Sequence, residues 1–190
     1  TLTLATAIAA RVGVVEVAAH QVASQLWLFL SLTIDSLAVS AQALIANEAG
    51  RSVPGGARRV ADRVLLWGFS LGVAQAALFL LAKPLLVGLF TTDPAVMAAL
   101  DSVYIFIVVM QPLNALVFVL DGVFMGAEQF GFLARAMLLS AVVAAAVLLL
   151  VVPMGWGLLG VWWGMTTLML VRGTTLVLRY RAGSGALARG

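Results

Sequence analysis

The sequence has 190 residues, of which 63% are hydrophobic and only 10% are charged, whereas soluble domains carry about 25% charged residues. This composition excludes a soluble globular domain, because a core of this size cannot bury so much apolar surface. The net charge of +3 does not indicate nucleic-acid binding, because the arginines stand between apolar segments. Cysteine is absent, which excludes disulfides, thiolate metal sites and a cysteine nucleophile within this chain.

Apolar segments recur along the chain, and a membrane span needs about 20 predominantly apolar residues. Residues 1–12 are predicted to be the end of a span whose beginning is missing. The five complete spans are predicted at residues 17–46, 64–90, 99–126, 131–153 and 157–179. We therefore predict an all-α integral membrane protein, a polytopic helix bundle formed by residues 1–182, with a tail at residues 183–190.

Basic residues alternate between the connections, as the positive-inside rule predicts for a polytopic protein. The connection at 47–63 contains four arginines, whereas the connections at 91–96 and 153–157 contain neither Lys nor Arg. This alternation predicts a multi-pass protein of the cell membrane with a cytoplasmic C-terminus. The exceptions to the rule are Arg11 and Lys83, which fall on or near the predicted external side.

The first complete span contains the stretch "SLTIDSLAVSAQAL" (residues 31–44), which places Asp35 inside an apolar segment. A carboxylate at this depth costs several kcal/mol unless it is paired, protonated or facing water. At about 100° per residue, the polar side chains of this span form a stripe on one face, and they are Gln21, Ser24, Gln25, Ser31, Asp35 and Gln42. Two interpretations remain open. The stripe either binds neighbouring helices or lines a cavity in which Asp35 exchanges a proton or another cation.

A second polar face lies in the span at 99–126, where Tyr104, Gln111, Asn114 and Asp121 fall close together around the helix axis. Pro112 within this face removes a backbone hydrogen bond and is predicted to kink the helix. Asp121 lies about one turn from the predicted cytoplasmic end of the span. It is therefore a candidate either for a helix cap or for a binding site.

Two further residues, His20 and Arg172, each have two possible roles. His20 is the only histidine, and we predict a hydrogen-bonded, interfacial role for it, with proton sensing as an alternative. Arg172 either extends to the cytoplasmic interface or meets an acid inside the bundle. We predict no metal site and no catalytic residue, because no ligand cluster and no arrangement of nucleophile, base and metal is visible. The chain is therefore predicted not to be an enzyme.

Two longer stretches carry a family resemblance. They are "VAAHQVASQLWLFLSLTIDSLAVSAQALIANEAG" (residues 17–50) and "PLNALVFVLDGVFMGAEQF" (residues 112–130). Both resemble the C-terminal lobe of the multidrug and toxic compound extrusion (MATE) family, in particular its DNA-damage-inducible F branch. The resemblance implies a transporter of twelve spans in two lobes. Residues 1–12 would then end span seven, and the five complete segments would be spans eight to twelve.

The resemblance implies export of cationic or amphipathic organic compounds in exchange for H⁺ or Na⁺, with no cofactor besides the coupling ion. The implied partners are membrane lipids, the N-terminal lobe of the same protein and a small-molecule substrate, and nucleic acid is not among them. We expect the substrate and ion pathway to include Asp35, Gln21, Gln25, Gln42, Gln111, Asn114 and Asp121. The alternatives are a lipid-linked oligosaccharide flippase of the same superfamily and a membrane scaffold that does not transport.

Overall fold

The computed structural model describes residues 1–51, 55–183 and 187–188. Within these residues the chain forms six α-helices in the order α1 (Leu2–Val12), α2 (Val14–Gly50), α3 (Gly56–Phe90), α4 (Pro94–Gly126), α5 (Phe130–Val151) and α6 (Gly157–Ala182). Helices α2 to α6 are each long and apolar enough to cross a membrane. The predicted all-α polytopic bundle is therefore confirmed.

Several helices extend beyond the apolar spans that the sequence predicts. Helix α2 has 37 residues, which corresponds to about 55 Å at the rise of an α-helix, whereas the hydrocarbon core of a bilayer is about 30 Å thick. Helix α3 begins at Gly56, eight residues before the predicted start at residue 64. Hydropathy misses this first part of α3 because its charged side chains are compatible with a helix although they are not apolar.

Local signals explain several helix ends. Asp93 precedes α4, and its carboxylate accepts a hydrogen bond of 2.8 Å from the backbone N–H of Ala95, while Pro94 occupies the first helical position. Both features are typical of a helix N-terminus. Gly55 precedes α3 with a φ of 67°, a left-handed conformation that favours glycine. Helices α1 and α2 are separated by Gly13 alone.

Helix α4 is the centre of the bundle. In its most apolar stretch 61% of the residues are buried, against 28% to 44% in the other four long helices. Helices α2, α3 and α6 pack against α4, and α5 packs mainly against α6. The side chains of the surrounding helices that point away from α4 include many exposed leucines and aromatic residues, as expected for surfaces that contact lipid.

Small residues bring α2 and α4 into close contact. A methyl group added at Gly122 would overlap the carbonyl group of Ala38, and one added at Gly126 would overlap the carbonyl oxygen of Gln42. Gly72 approaches the backbone of α4 at Pro112 in the same way. Such small residues allow helices in a membrane to pack backbone against backbone. The stretches of α2 and α4 around Ala38 and Gly122 are consequently held close together.

The two ends of the bundle differ in charge. We call one end the basic end, because the α2–α3 and α4–α5 connections and the end of α6 meet there, with Arg51, Arg58, Arg59, Arg63, Arg135, Arg179 and Arg181 on or beside them. The opposite end has Arg11 and Lys83 near it. Most of the tail predicted at residues 183–190 lies outside the described residues, and the cytoplasmic position of the basic end remains a prediction.

Candidate functional site

A cavity of about 440 Å³ lies towards the basic end, between α2, α4, α5 and α6. Three of its lining side chains are ionisable, namely Asp35 of α2, Asp121 of α4 and Arg172 of α6. Its remaining walls are apolar, and they are formed by Ala38, Phe118, Met125, Phe130, Leu133, Ala134 and Met137. Ionisable side chains at membrane depth are costly and usually functional, so this cavity is the candidate site.

The close contact of α2 with α4 explains why the two aspartates share one cavity. Ala38 lies three residues after Asp35, and the carbonyl of Ala38 contacts Gly122, the residue that follows Asp121. Residues three or four apart on a helix share a face. Asp35 and Asp121, one from each of the two predicted polar faces, therefore meet at this cavity.

Asp121 and Arg172 form an ion pair inside the bundle. Their Oδ2 and Nη2 atoms are 2.8 Å apart, and the two side chains are 11% and 19% exposed. The other guanidinium nitrogen of Arg172, Nη1, contacts the sulfur of Met137. Of the alternatives that the sequence leaves open, Arg172 thus meets an acid within the bundle and Asp121 does not act as a helix cap. Pairing offsets part of the cost of desolvating both charges.

Asp35 is the third ionisable residue of the cavity, and it differs from Asp121 in being exposed. It makes no ion pair with any residue that the structure describes. With both aspartates and Arg172 ionised, the cavity contains two negative charges and one positive charge. A site with an excess of carboxylates attracts cations, which favours a cation as one of its ligands.

The other predicted pathway residues lie away from this cavity lining. Gln111 and Asn114 are completely buried in α4 at 0% exposure, closer to the middle of the helix. Gln42 is partly buried, and its carbonyl oxygen faces Gly126. Gln21 and Gln25 are exposed on α2. The structure thus brings together Asp35 and Asp121 from the predicted set and adds Arg172 to them.

His20 is hydrogen-bonded, as the sequence predicts, and it is buried within the bundle. Its Nε2 atom lies 3.4 Å from the Thr6 hydroxyl and 3.3 Å from the Ser24 hydroxyl, so the hydrogen-bonded role is confirmed. The side chain is only 2% exposed, and its position at the membrane interface stays a prediction. Helix α1 and the indole of Trp162, whose ring centroid is 5.9 Å from that of His20, enclose it.

Cavity size alone does not identify the site. A cavity of about 540 Å³ between α4 and α6 is lined by Phe106, Val109, Trp163 and other side chains that carry no charge. The 440 Å³ cavity is distinguished from it by its ionisable residues. In the described part of the chain, no group of three or more His, Cys, Asp or Glu side chains is arranged to hold a metal ion.

Comparison with known proteins gives consistent matches. The family model MatE matches residues 2–151. Protein DETOXIFICATION 45, chloroplastic, from Arabidopsis thaliana is 38% identical over 172 residues, which are 90% of this chain and 30% of that protein. Protein DETOXIFICATION 43 from the same organism is 37% identical over 183 residues, covering 96% of this chain and 35% of that protein.

Protein DETOXIFICATION 42 from Arabidopsis thaliana is 35% identical over 184 residues, or 97% of this chain and 36% of that protein. No solved structure gives a significant match. The chain spans about a third of the length of these relatives. Because the family model covers most of the chain, the protein belongs to the MatE family, as its resemblance predicts.

Proposed function

We propose that this chain forms one lobe of a secondary transporter that exchanges a cation, H⁺ or Na⁺, for an organic compound. The observation that carries the proposal is the cavity in which Asp35, Asp121 and Arg172 come together from three different helices. Membership of the MatE family and five helices able to cross a membrane support transport as the general activity. The cavity supplies a physical basis for coupling.

The ion pair provides the exchange step. Arg172 neutralises Asp121 at 2.8 Å, so a proton or Na⁺ that binds the Asp121 carboxylate competes with the guanidinium. Because the pair links α4 to α6, its opening changes the relative stability of two arrangements of these helices. A ligand that binds one arrangement more tightly shifts the population towards it. Cation and substrate are thereby coupled in both directions.

The cavity walls favour amphipathic compounds as substrates. Phe118, Phe130, Met125 and Met137 offer flexible, polarisable apolar surface, which accommodates different shapes. Asp35 is exposed at the same cavity and supplies a negative charge for a cationic group. A few polar groups in an otherwise apolar pocket are typical of small-molecule sites. We therefore propose that the substrates are cationic or amphipathic organic compounds. This lobe and the second lobe of the protein together would transport them across a lipid membrane.

The proposal is tested with the complete gene product reconstituted in proteoliposomes. The liposomes are loaded with ethidium, a lipophilic cation, and an inward H⁺ or Na⁺ gradient is imposed. We expect the gradient to drive ethidium exchange, and the Asp35→Asn variant to slow it by about tenfold, a typical coupling between linked sites. The matched control is Asp62→Asn. Asp62 is also an exposed aspartate, but it lies at the basic end, where it accepts a hydrogen bond from Tyr180.

Failure of wild-type exchange with either gradient would contradict the transport proposal for this substrate class. Equal rates of ethidium exchange in the Asp35→Asn and Asp62→Asn variants would contradict the role of Asp35. An unchanged Asp35→Asn variant is also the result that a scaffold with polar helix interfaces predicts, so the assay separates the two functions.

A further inference from the structure

Several polar atoms in the interior of the bundle are buried and have no hydrogen-bond partner among the described residues. They are His20 Nδ1, Trp27 Nε1, Gln75 Oε1, Gln111 Oε1, Asp121 Oδ1, Trp162 Nε1 and both side-chain atoms of Asn114. A buried polar group without a partner costs about 1–3 kcal/mol. Native proteins contain few such groups, and four of these eight atoms belong to three side chains of α4, so their presence there needs a physical cause.

Gln111 and Asn114 are the clearest example of buried polar side chains that lack hydrogen-bond partners among the described residues. Both are 0% exposed, and they lie three residues apart on α4, so their side chains are neighbours. The amide nitrogen of Gln111 donates to the Ile107 carbonyl at 2.8 Å, which leaves Oε1 without a partner. Together with the Asn114 amide, Gln111 thus contributes three unpartnered polar atoms on neighbouring turns of α4. A buried water molecule typically binds two to four such atoms.

Contacts between α2, α6 and α4 connect this pair to His20. The ring of Trp162 lies beside that of His20, and the Trp162 carbonyl accepts a hydrogen bond from Thr166 one turn further along α6. The Thr166 hydroxyl is also 3.2 Å from the sulfur of Met110, the residue before Gln111. Trp162 and Thr166 of α6 therefore link His20 to the turn of α4 that contains Met110 and Gln111.

Asp121 lies at the other end of the same helix face. It follows Gln111 by ten residues, which is about 15 Å along α4, and Asn114 lies between them. Its Oδ2 atom binds Arg172, whereas Oδ1 has no partner among the described residues. The unpartnered atoms of α4 thus lead towards the carboxylate that the proposed function places at the coupling step.

We propose that water occupies the interior between α2, α4 and α6 and forms a file from His20 through Gln111 and Asn114 to Asp121. The file provides proton access to Asp121 from the opposite end of the bundle. A proton arriving from this water binds Oδ1 and converts the carboxylate to a carboxylic acid, which leaves Arg172 without its counter-charge. Return of the proton to the file restores the ion pair.

The charged groups near the two ends of the file are few. At the Asp121 end the facing charges are Asp35 on α2 and Arg172 on α6. Near His20 they are Glu16, one turn earlier on α2, and Arg11 at the end of α1. The residues that contact His20 directly, Thr6, Ser24 and Trp162, carry no charge. The role of the file in coupling rests on the proposed function, whereas its hydration does not.

The absence of cysteine from this chain allows a direct test of hydration. Single Asn114→Cys and Ala115→Cys variants are made in the complete gene product, with any cysteine elsewhere replaced by serine. Reconstituted protein is exposed to Ag⁺ in chloride-free buffer, and the remaining free thiol is counted with a fluorescent maleimide after unfolding. Ala115 is the matched control, because it is also 0% exposed but packs against Gly72.

We expect the Asn114→Cys thiol to react with Ag⁺ at least about tenfold faster than the Ala115→Cys thiol, because thiols in dry apolar surroundings are inert. Equal and slow reaction of both would overturn the file. If Asn114→Cys does not fold, Gln111→Cys replaces it, since Gln111 is also 0% exposed and lies one turn away on the same face of α4. The same rates are expected for it.

Labelling needs no transport substrate, so the two proposals are separable. A labelled Asn114→Cys variant would support the water file even if Asp35→Asn left ethidium exchange unchanged. An unlabelled Asn114→Cys variant, and an equally unlabelled Gln111→Cys variant, would overturn the file while ethidium exchange still tested the transport function.

Discussion

Helix α4 forms two ion pairs of the same length in different surroundings. Asp101 binds Lys83 and Asp121 binds Arg172, each with an N–O distance of 2.8 Å. The side chains of Asp101 and Lys83 are 61% and 33% exposed, whereas those of Asp121 and Arg172 are 11% and 19% exposed. An exposed pair contributes about 0–1 kcal/mol, but removing one partner of a buried pair is costly. Burial, and not distance, thus distinguishes the two pairs.

The two pairs also differ in their position in the bundle. Lys83 lies 5.2 Å from the centre of the Tyr104 ring, and its pair with Asp101 joins α3 to α4 at the surface of the bundle. Asp121 instead lines a cavity beside the closest contact between α2 and α4. We call Asp101–Lys83 the outer pair and Asp121–Arg172 the inner pair. We interpret the outer pair as an anchor between helices and the inner pair as the part of the lobe that responds to ligands.

Loss of the inner cation is expected to have the largest effect. Arg172→Met leaves Asp121 unpaired in the bundle and should lower the free energy of unfolding by about 3–5 kcal/mol. Lys83→Met removes the cation of the outer pair and should change it by about 0–1 kcal/mol. Unfolding of the purified protein in detergent, followed by circular dichroism, measures both. An equal effect of the two changes would contradict the comparison.

A double variant sharpens the same test. Replacing both partners of a buried pair with apolar residues is often neutral or stabilising, so Arg172→Met combined with Asp121→Leu should recover most of the lost stability. If the double variant is as unstable as Arg172→Met alone, the loss arises from packing of the arginine side chain and not from an unpaired carboxylate.

The helix contact beside the inner pair gives an intermediate effect. Gly122→Ala places a methyl group against the backbone of Ala38 and should destabilise the protein by about 1–3 kcal/mol, as overpacking does. Gly88→Ala is the control in α3 on the side of the outer pair, because no atom lies within 4 Å of its added methyl group. It should stabilise the helix by about 0.5–1 kcal/mol. Thermal unfolding of both variants measures the difference, and a stabilised Gly122→Ala variant would refute the close contact.

A change in ionic strength is expected to have the smallest effect on stability. Raising the ionic strength from about 0.1 to about 1 M shortens the Debye length from about 10 to about 3 Å and screens exposed charges more than buried ones. The small destabilisation caused by Lys83→Met should disappear at high salt, and that caused by Arg172→Met should remain. A salt-sensitive Arg172→Met variant would show that water and ions reach the inner pair freely.

The sequence predicts the fold and the two polar faces because both depend on local periodicity. The number of spans depends on apolar stretches, and Asp35 and Asp121 appear as charges within such stretches. Residues at helical spacing share a face whatever the neighbouring helices are. These features need no knowledge of tertiary contacts, and each predicted segment corresponds to one helix.

The partners of these residues could not be predicted in the same way. Arg172 follows Asp121 by about 50 residues, and the two meet only because α6 packs against α4. Gln21 and Gln25 belong to the same predicted stripe as Asp35, yet they do not line the cavity, because they lie about 21 and 15 Å from Asp35 along α2. The burial of His20 likewise depends on α1 and Trp162. Pattern alone does not determine which neighbour covers a helix face.

The most direct measurement compares the two aspartates of α4 in transport. Asp121→Asn and Asp101→Asn are made in the complete gene product, and the initial rate of ion-driven ethidium exchange is measured in proteoliposomes containing equal amounts of each protein. The account predicts that Asp121→Asn slows exchange by at least about tenfold, within the range of coupling between linked sites, and that Asp101→Asn stays close to the wild-type rate. Equal rates for the two variants would contradict the claim that the inner ion pair couples cation and substrate.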